Sequence, residues 1–287
     1  MGFRVVKIKN VCKLDLKMNY LVYRGEKDTV RIFIPEISIL ILESTAISLT
    51  TALISELTKN NIKIIFCDEK HNPESELVPY NLSYHSSKRL KMQIGWDDKI
   101  KGKVWAKIVK EKIKTEMLYL LELEHFEEAE LLKSYYNDVK INDKTNREGH
   151  SAKVYFNAVF GNDFARRTQS FTNTALNYGY AILLSCFNRE IVASGYLTQL
   201  GIWHKGEFNY YNLSSDFIEP FRVLVDRIVY NLNEGDNYKL ALLNLLDAKI
   251  KIDKKEQTVE NAIAIYASSL FDALNKNDVN LINFYEL

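Results

Sequence analysis

Trp96-Asp97-Asp98-Lys99-Ile100-Lys101-Gly102-Lys103-Val104-Trp105-Ala106-Lys107-Ile108-Val109-Lys110-Glu111-Lys112-Ile113-Lys114 is where this sequence changes its period. Lys99, Lys103, Lys107, Lys110 and Lys114 recur at intervals of four, four, three and four, so they share one helical face. Upstream the period is two. Leu14, Leu16, Met18 and Tyr20 alternate with Asp15, Lys17 and Asn19, and Val30, Ile32 and Ile34 repeat the pattern after a turn around Gly25-Glu26-Lys27-Asp28. Ile37–Leu42 and residues 62–67 are apolar runs suited to buried strands, and between them Leu49, Ala52, Leu53 and Leu57 share a helical face. Strands first and helices afterwards predict an α+β protein. The expected organisation is a β-sandwich-like domain over residues 1–75, a linker or irregular hairpin over 76–95, and a larger all-α domain over 96–287.

Composition narrows the class. The 287 residues are 47% apolar and 26% charged, enough apolar surface for a packed core and too much for a disordered chain. Gly (11) and Pro (4) are scarce, which predicts long regular elements. Cys12, Cys67 and Cys186 are too few and too dispersed for a disulfide framework or a zinc knuckle, and suit buried thiols in a reducing cytoplasm. The opening Met1-Gly2-Phe3-Arg4-Val5-Val6-Lys7 lacks the apolar run of a signal peptide, and no membrane span is expected.

The net charge is +1, from 38 basic and 37 acidic residues, but it is unevenly spread. Residues 88–114 carry ten basic and three acidic side chains, whereas 116–130 carries six Glu and no Lys or Arg. A solvated face is the ordinary reading of such a run. The alternative is a stripe that tracks a phosphate backbone.

Three segments carry possible chemistry. Asn146-Arg147-Glu148-Gly149-His150 starts a helix, where a Glu suits the helix dipole or serves as a metal ligand. His204 follows a long apolar helix expected over 176–200, and reads as a C-terminal cap or as a ligand. Asp216 and Glu219 form a capping-box spacing for a helix beginning at Asp216 or Phe217, and the same spacing draws Asp216, Glu219 and Arg222 together. Two or three carboxylates with one imidazole suit Mg²⁺ or Mn²⁺. No HExxH, Walker A, GxSxG or Rossmann glycine pattern occurs. Metal-assisted phosphodiester chemistry is the enzyme class that remains.

Four ordered blocks make the pattern specific: Asn146-Arg147-Glu148-Gly149-His150, Phe160-Gly161-Asn162-Asp163-Phe164, Ala175-Leu176-Asn177-Tyr178-Gly179-Tyr180 and Asp216-Phe217-Ile218-Glu219-Pro220-Phe221-Arg222. On these blocks the chain resembles the CRISPR-associated integrase subunit of the spacer-acquisition complex, in its type II form, over essentially its full length. The resemblance implies a β-domain joined to a helical domain and a homodimer built through the β-domains. It also implies two such dimers bridged by a dimer of a small ferredoxin-like partner on captured DNA. The implied metal ligands are Glu148, His204 and Glu219, with Asp216 as a fourth catalytic member. Lys153 stands where many relatives have Arg, and Glu219 where many have Asp. DNA contacts are then expected from Lys99, Lys103, Lys107, Lys110 and Lys114, and from Tyr155 and Arg222.

The implied reaction is insertion of a foreign DNA fragment into a CRISPR repeat. A 3′-hydroxyl attacks a phosphodiester with Mg²⁺ or Mn²⁺ as Lewis acid, and the missing ATP site fits this exchange of one phosphodiester for another. A DNA-binding scaffold without chemistry, and a metal-dependent nuclease of branched DNA repair intermediates, are the competing readings.

Overall fold

The six residues of β5 (Ile37–Leu42) are all buried. The strand lies between β1 (Arg4–Ile8) and β7 (Lys63–Cys67), parallel to both, so it is covered on its edges and its faces. That is why it reads as an unbroken Ile/Leu run rather than as an alternation. β8 (Pro73–Leu77) completes this sheet antiparallel to β7. A second four-stranded sheet has the order β4 (Thr29–Phe33), β3 (Tyr20–Arg24), β2 (Cys12–Lys17), β6 (Ile47–Leu49). Leu14 and Leu21 of this sheet share one core with Val6, Ile8, Leu40 and Ile64 of the first. α1 (Thr51–Lys59), capped by Thr50, adds Leu53 and Leu57 to it. Each of those leucines contributes roughly 1.5–3 kcal/mol by burial.

This description covers a computed structural model of residues 4–69, 73–77 and 86–286. The chain divides into two units, Met1–Tyr84 and His85–Leu287. The first is β-rich and the second helical, as the α+β reading expects. One expectation fails locally. The alternation through Met18 and Tyr20 is two strands, because Met18 and Asn19 adopt positive φ (49° and 63°) in the two-residue turn of the β2–β3 hairpin.

The segment 76–95 also differs from the linker expected there. Glu76 and Leu77 close β8, and Ser86–Ile94 forms α2, while 78–85 lie outside the described residues. α2 is held by polar side chains rather than by an apolar face. The Gln93 amide donates to the carbonyls of Leu197 (2.8 Å) and Leu200 (3.0 Å) and accepts from the Leu197 N–H, and Arg89 reaches the Tyr196 hydroxyl. Such pairing across a hundred positions leaves no periodic trace.

In the second unit α3 (Asp98–Glu122) is the central element, roughly 37 Å long. α4 (Phe126–Asp138), α5 (Arg147–Phe160), α8 (Arg222–Tyr230) and α10 (Val259–Lys276) pack against it. α6 (Phe171–Ala193) lies against α8 and against α9 (Tyr238–Asn244), and Gly179 lets Val225 approach closely. α6 stops at Ala193, short of the expected 200, because Gly195 takes φ +81° and the Tyr196 N–H turns back to the Ile191 carbonyl. α7 (Asn212–Phe217) is a short helix before α8.

The second unit is not all-α. β9 (Lys249–Ile252), β10 (Lys255–Thr258) and β11 (Tyr285–Glu286) form an antiparallel sheet. Its hairpin turns at Asp253-Lys254, both at positive φ. Among the described residues no helix is long and apolar enough to cross a membrane, and the three cysteines are buried and form no disulfide.

Candidate active site

Glu148 lies in the first turn of α5. The preceding Asn146 is left-handed (φ 50°) and makes no side-chain cap. Asp143 caps instead: its carboxylate accepts from the N–H groups of Arg147 (2.9 Å) and Glu148 (3.0 Å). Arg147 is tied back to Asp138 and lies over the Tyr135 ring. The Glu148 backbone is thereby fixed by a residue that the sequence did not single out.

The 216–222 segment departs from the expected capping box. Asp216 is in the last turn of α7, not at a helix start, and it is fully buried. Its Oδ2 accepts from the N–H groups of Ile202 (2.7 Å) and Trp203 (3.1 Å), and Oδ1 from the His204 N–H (3.0 Å). Oδ1 also meets His204 Nδ1 at 2.6 Å. A Cβ on Gly201 would come within 2.8 Å of the Asp216 carboxylate, so this tight wrap needs glycine there. Glu219 opens a 3₁₀ turn with Pro220 and Phe221, tolerated because proline has no N–H to satisfy at such a start.

Glu148 and Glu219 meet on Lys112 of α3. The Lys112 ammonium donates to Glu148 Oε1, and to Glu219 Oε2 at 2.6 Å. The Lys112 and Glu219 side chains are 7% and 6% exposed, whereas Glu148 is 29% exposed and opens the site to solvent. Arg222 Nε donates to Glu219 Oε1 (3.0 Å), and its guanidinium lies 4.7 Å over the Tyr180 ring. Burial would raise the Glu219 pKa, but Arg222 and Lys112 overcome it and hold the carboxyl down at about 2. Burial alone would discharge Lys112, and Glu219 and Glu148 reverse that and keep it firmly charged.

His204 sits eleven residues beyond the end of α6, so it caps no helix end. Its ring is 42% exposed and meets Trp105 edge-on at 5.8 Å, and Trp105 stacks on Trp203 at 5.6 Å. The hydrogen bond to Asp216 raises its pKa, burial opposes this, and the charges of Asp216, Glu219 and Glu148 add to the rise. With Nδ1 donating to Asp216, Nε2 is the nitrogen left to bind a cation.

Behind the carboxylate pair lies a second buried acidic group. Asp226 accepts from the hydroxyls of Tyr155 (3.1 Å) and Tyr180. Tyr155 is fully buried there, which overturns the expected DNA contact from that residue. Burial lifts the Glu116 carboxyl to about 8, so it is neutral near pH 7. Burial also pushes Asp226 up to about 6, only partly offset by the two tyrosines. An acid whose pKa rises on folding from 3.8 to about 6 stabilises the fold when protonated and loses that contribution as pH rises through the window, about 3 kcal/mol in all. Asp226→Asn is therefore expected to outlast the wild type in urea at about pH 7.5, with the gap closing towards about pH 4.5. A gap that does not change with pH would refute the assignment.

The basic stripe is only partly free. Lys99, Lys103 and Lys107 are exposed, Lys110 leans over the Tyr136 ring (5.1 Å), and Lys114 pairs with Glu111 (2.9 Å). Arg222 is engaged with Glu219 rather than presented to a ligand. Asp216 has its oxygens committed to the 202–204 backbone and the His204 ring, so it positions His204. Lys112, Glu116, Asp143 and Asp226 are not among the site residues that the sequence points to. Lys112 is off the five-lysine stripe, and that displacement onto the apolar side of α3 was the one legible signal.

Among the described residues, no three His, Cys, Asp or Glu side chains are already gathered as a ligand cage. Yet two carboxylates from separate elements reach one cation, and their charges act on the imidazole that the buried Asp216 holds. Two hard oxygens and one imidazole suit Mg²⁺ or Mn²⁺, so the donor set of Glu148, Glu219 and His204 fits.

Residues 7–240 match the protein family described as CRISPR associated protein Cas1. The chain is 32% identical over 242 residues to the CRISPR-associated endonuclease Cas1 of Neisseria meningitidis serogroup C (strain 8013), over 84% of this chain and 80% of that protein. Among solved structures it resembles a chain of a Cas6-RT-Cas1–Cas2 complex, with a TM-score of 0.78 and 16% identity over 98% of this chain and 36% of that longer one. It also resembles a casposase bound to integration product, with a TM-score of 0.77 and 18% identity over 97% of this chain and 93% of that one. At these identities the two structures establish a shared fold.

Proposed function

Since the chain belongs to the CRISPR-associated Cas1 family, we propose that it is a metal-dependent DNA strand-transfer enzyme that inserts fragments of foreign DNA into a CRISPR repeat. The observation that carries this is the convergence of Glu148 and Glu219 on one cation, with their charges acting on the Asp216-held His204. The 3′-oxygen of the fragment forms a bond to phosphorus, the bond from phosphorus to the leaving 3′-oxygen breaks, and the hydroxyl proton ends on that leaving oxygen. One phosphodiester replaces another, so no ATP is consumed.

Glu148, Glu219 and His204 would hold Mg²⁺ or Mn²⁺, which supplies Lewis-acid polarisation of the scissile phosphate. Asp216 keeps the His204 ring in one orientation and one tautomer. Arg222 keeps Glu219 ionised. Lys99, Lys103 and Lys107 offer exposed charge to a DNA backbone.

The 32% identity to the Neisseria protein favours the type II form. By the same reading the chain works as a homodimer. Two such dimers are bridged by a dimer of a small ferredoxin-like partner, in keeping with the Cas1–Cas2 complex among its structural neighbours.

The test is strand transfer on a branched DNA that mimics a half-integrated fragment, with Mn²⁺, Mg²⁺ or EDTA, for wild type and His204→Ala. Joined product that requires metal and is lost in the variant is expected. If the folded wild type binds the DNA but joins nothing, even with its partner protein added, it is a scaffold. If it only cleaves, it is a nuclease.

A further inference from the structure

The two carboxylates that would hold the metal are already joined by a cation, and it belongs to the chain. The Lys112 ammonium bridges Glu148 of α5 and Glu219 of the 3₁₀ turn before α8. We infer that Lys112 is a built-in stand-in for the divalent cation, which bridges the two carboxylates and must be displaced when metal is bound. This rests on the reading of Glu148, Glu219 and His204 as the ligand set.

Three features support displacement over coexistence. First, both oxygens of Glu219 already accept from a cation, Oε1 from Arg222 and Oε2 from Lys112. A dication on either oxygen would face a positive charge at hydrogen-bond range in a mostly buried place. Second, Glu148 and Glu219 carry two negative charges and Lys112 and Arg222 two positive ones, so this four-residue cluster is balanced within itself. A dication added with both side chains in place would leave it doubly positive, and withdrawal of Lys112 halves that excess. Third, of the two donors on Glu219, Lys112 is the one able to leave. The Arg222 guanidinium is stacked on Tyr180 at 4.7 Å, whereas an ammonium on a flexible four-carbon arm can swing away from partners it meets only at its tip.

Glu148, 29% exposed, marks the side from which the incoming ion reaches the pair. The arrangement keeps two buried carboxylates compensated in the metal-free protein. It also makes metal affinity lower than the ligands alone would give.

Mn²⁺ titration followed by electron paramagnetic resonance, on wild type, Lys112→Met and His204→Ala, tests this without reference to activity. Lys112→Met is expected to bind Mn²⁺ on the order of tenfold more tightly than wild type. It is also expected to melt below wild type in EDTA and to recover with Mn²⁺. Equal or weaker affinity in Lys112→Met, with His204→Ala still weakening binding, overturns the stand-in role and leaves the ligand set intact. Binding unaffected by His204→Ala overturns the ligand set and the inference with it. Should the Met variant not fold, lysine acetylation of the wild type read by mass spectrometry decides. Lys112 is expected to be protected in EDTA and labelled several-fold faster in saturating Mg²⁺, and unchanged protection would refute displacement.

Discussion

Glu148→Gln is expected to lower metal-dependent strand transfer by on the order of 10³-fold while leaving a folded protein. Gln keeps the shape of Glu148 and loses its charge, so a ligand to the cation is weakened without a cavity. The Asp143 cap that fixes this turn of α5 acts on backbone N–H groups and survives the change. Lys112 retains Glu219 as its buried partner, and the lost partner is the more exposed of the two. The cost in stability is therefore small beside the loss of activity, below about 2 kcal/mol. Single-turnover strand transfer and a thermal melt, measured on the same preparation, check both halves. Activity within tenfold of wild type would remove Glu148 from the site.

Asp216→Ala is expected to damage the fold as well as the chemistry. Three backbone donors, from Ile202, Trp203 and His204, lose their acceptor at once, and the His204 ring loses its tether. Each unsatisfied buried donor costs about 1–3 kcal/mol, and partial access of water to the 202–204 loop brings the total to roughly 3–5 kcal/mol. In a unit of this size that lowers the melting temperature by on the order of 10 °C. The His204 pKa should also fall, because its largest raising influence is the hydrogen bond to Asp216. Urea unfolding and NMR titration of the His204 ring follow the two effects separately. A melt within about a degree of wild type would mean that the loop finds other acceptors.

The second variant shows where sequence and structure part. Asp216 and Glu219 read as one capping box, since the 216–222 stretch has the residue types of a helix start. In the fold the two carboxylates do different work. Asp216 ends α7 and serves the 202–204 loop, and Glu219 opens the next turn and serves Lys112 and Arg222. Spacing along a chain states which residues are neighbours, not which way the backbone carries them. The same limit explains Met18-Asn19, where a two-residue reversal preserves the alternation it interrupts. Lys249-Ile250-Lys251-Ile252 before Asp253-Lys254 is an alternating strand followed by a positive-φ turn, a pattern that is legible in the local sequence.

What the sequence determined by itself is what depends on local period and on ordered motifs. Those are strands before helices, the buried β5 run, the lysine face of α3, and the ordered blocks that contain Glu148 and Glu219. What only the tertiary structure decided is the partnership among buried charges. Lys112 looks like one more lysine in a basic helix, and Asp143, Glu116 and Asp226 look like ordinary acids. Their roles come from pairing across 36 to 107 positions for Lys112 and 71 for Tyr155 and Asp226. A buried charge is tolerated only where a partner meets it, and which partner that is follows from how α3, α5 and α8 pack.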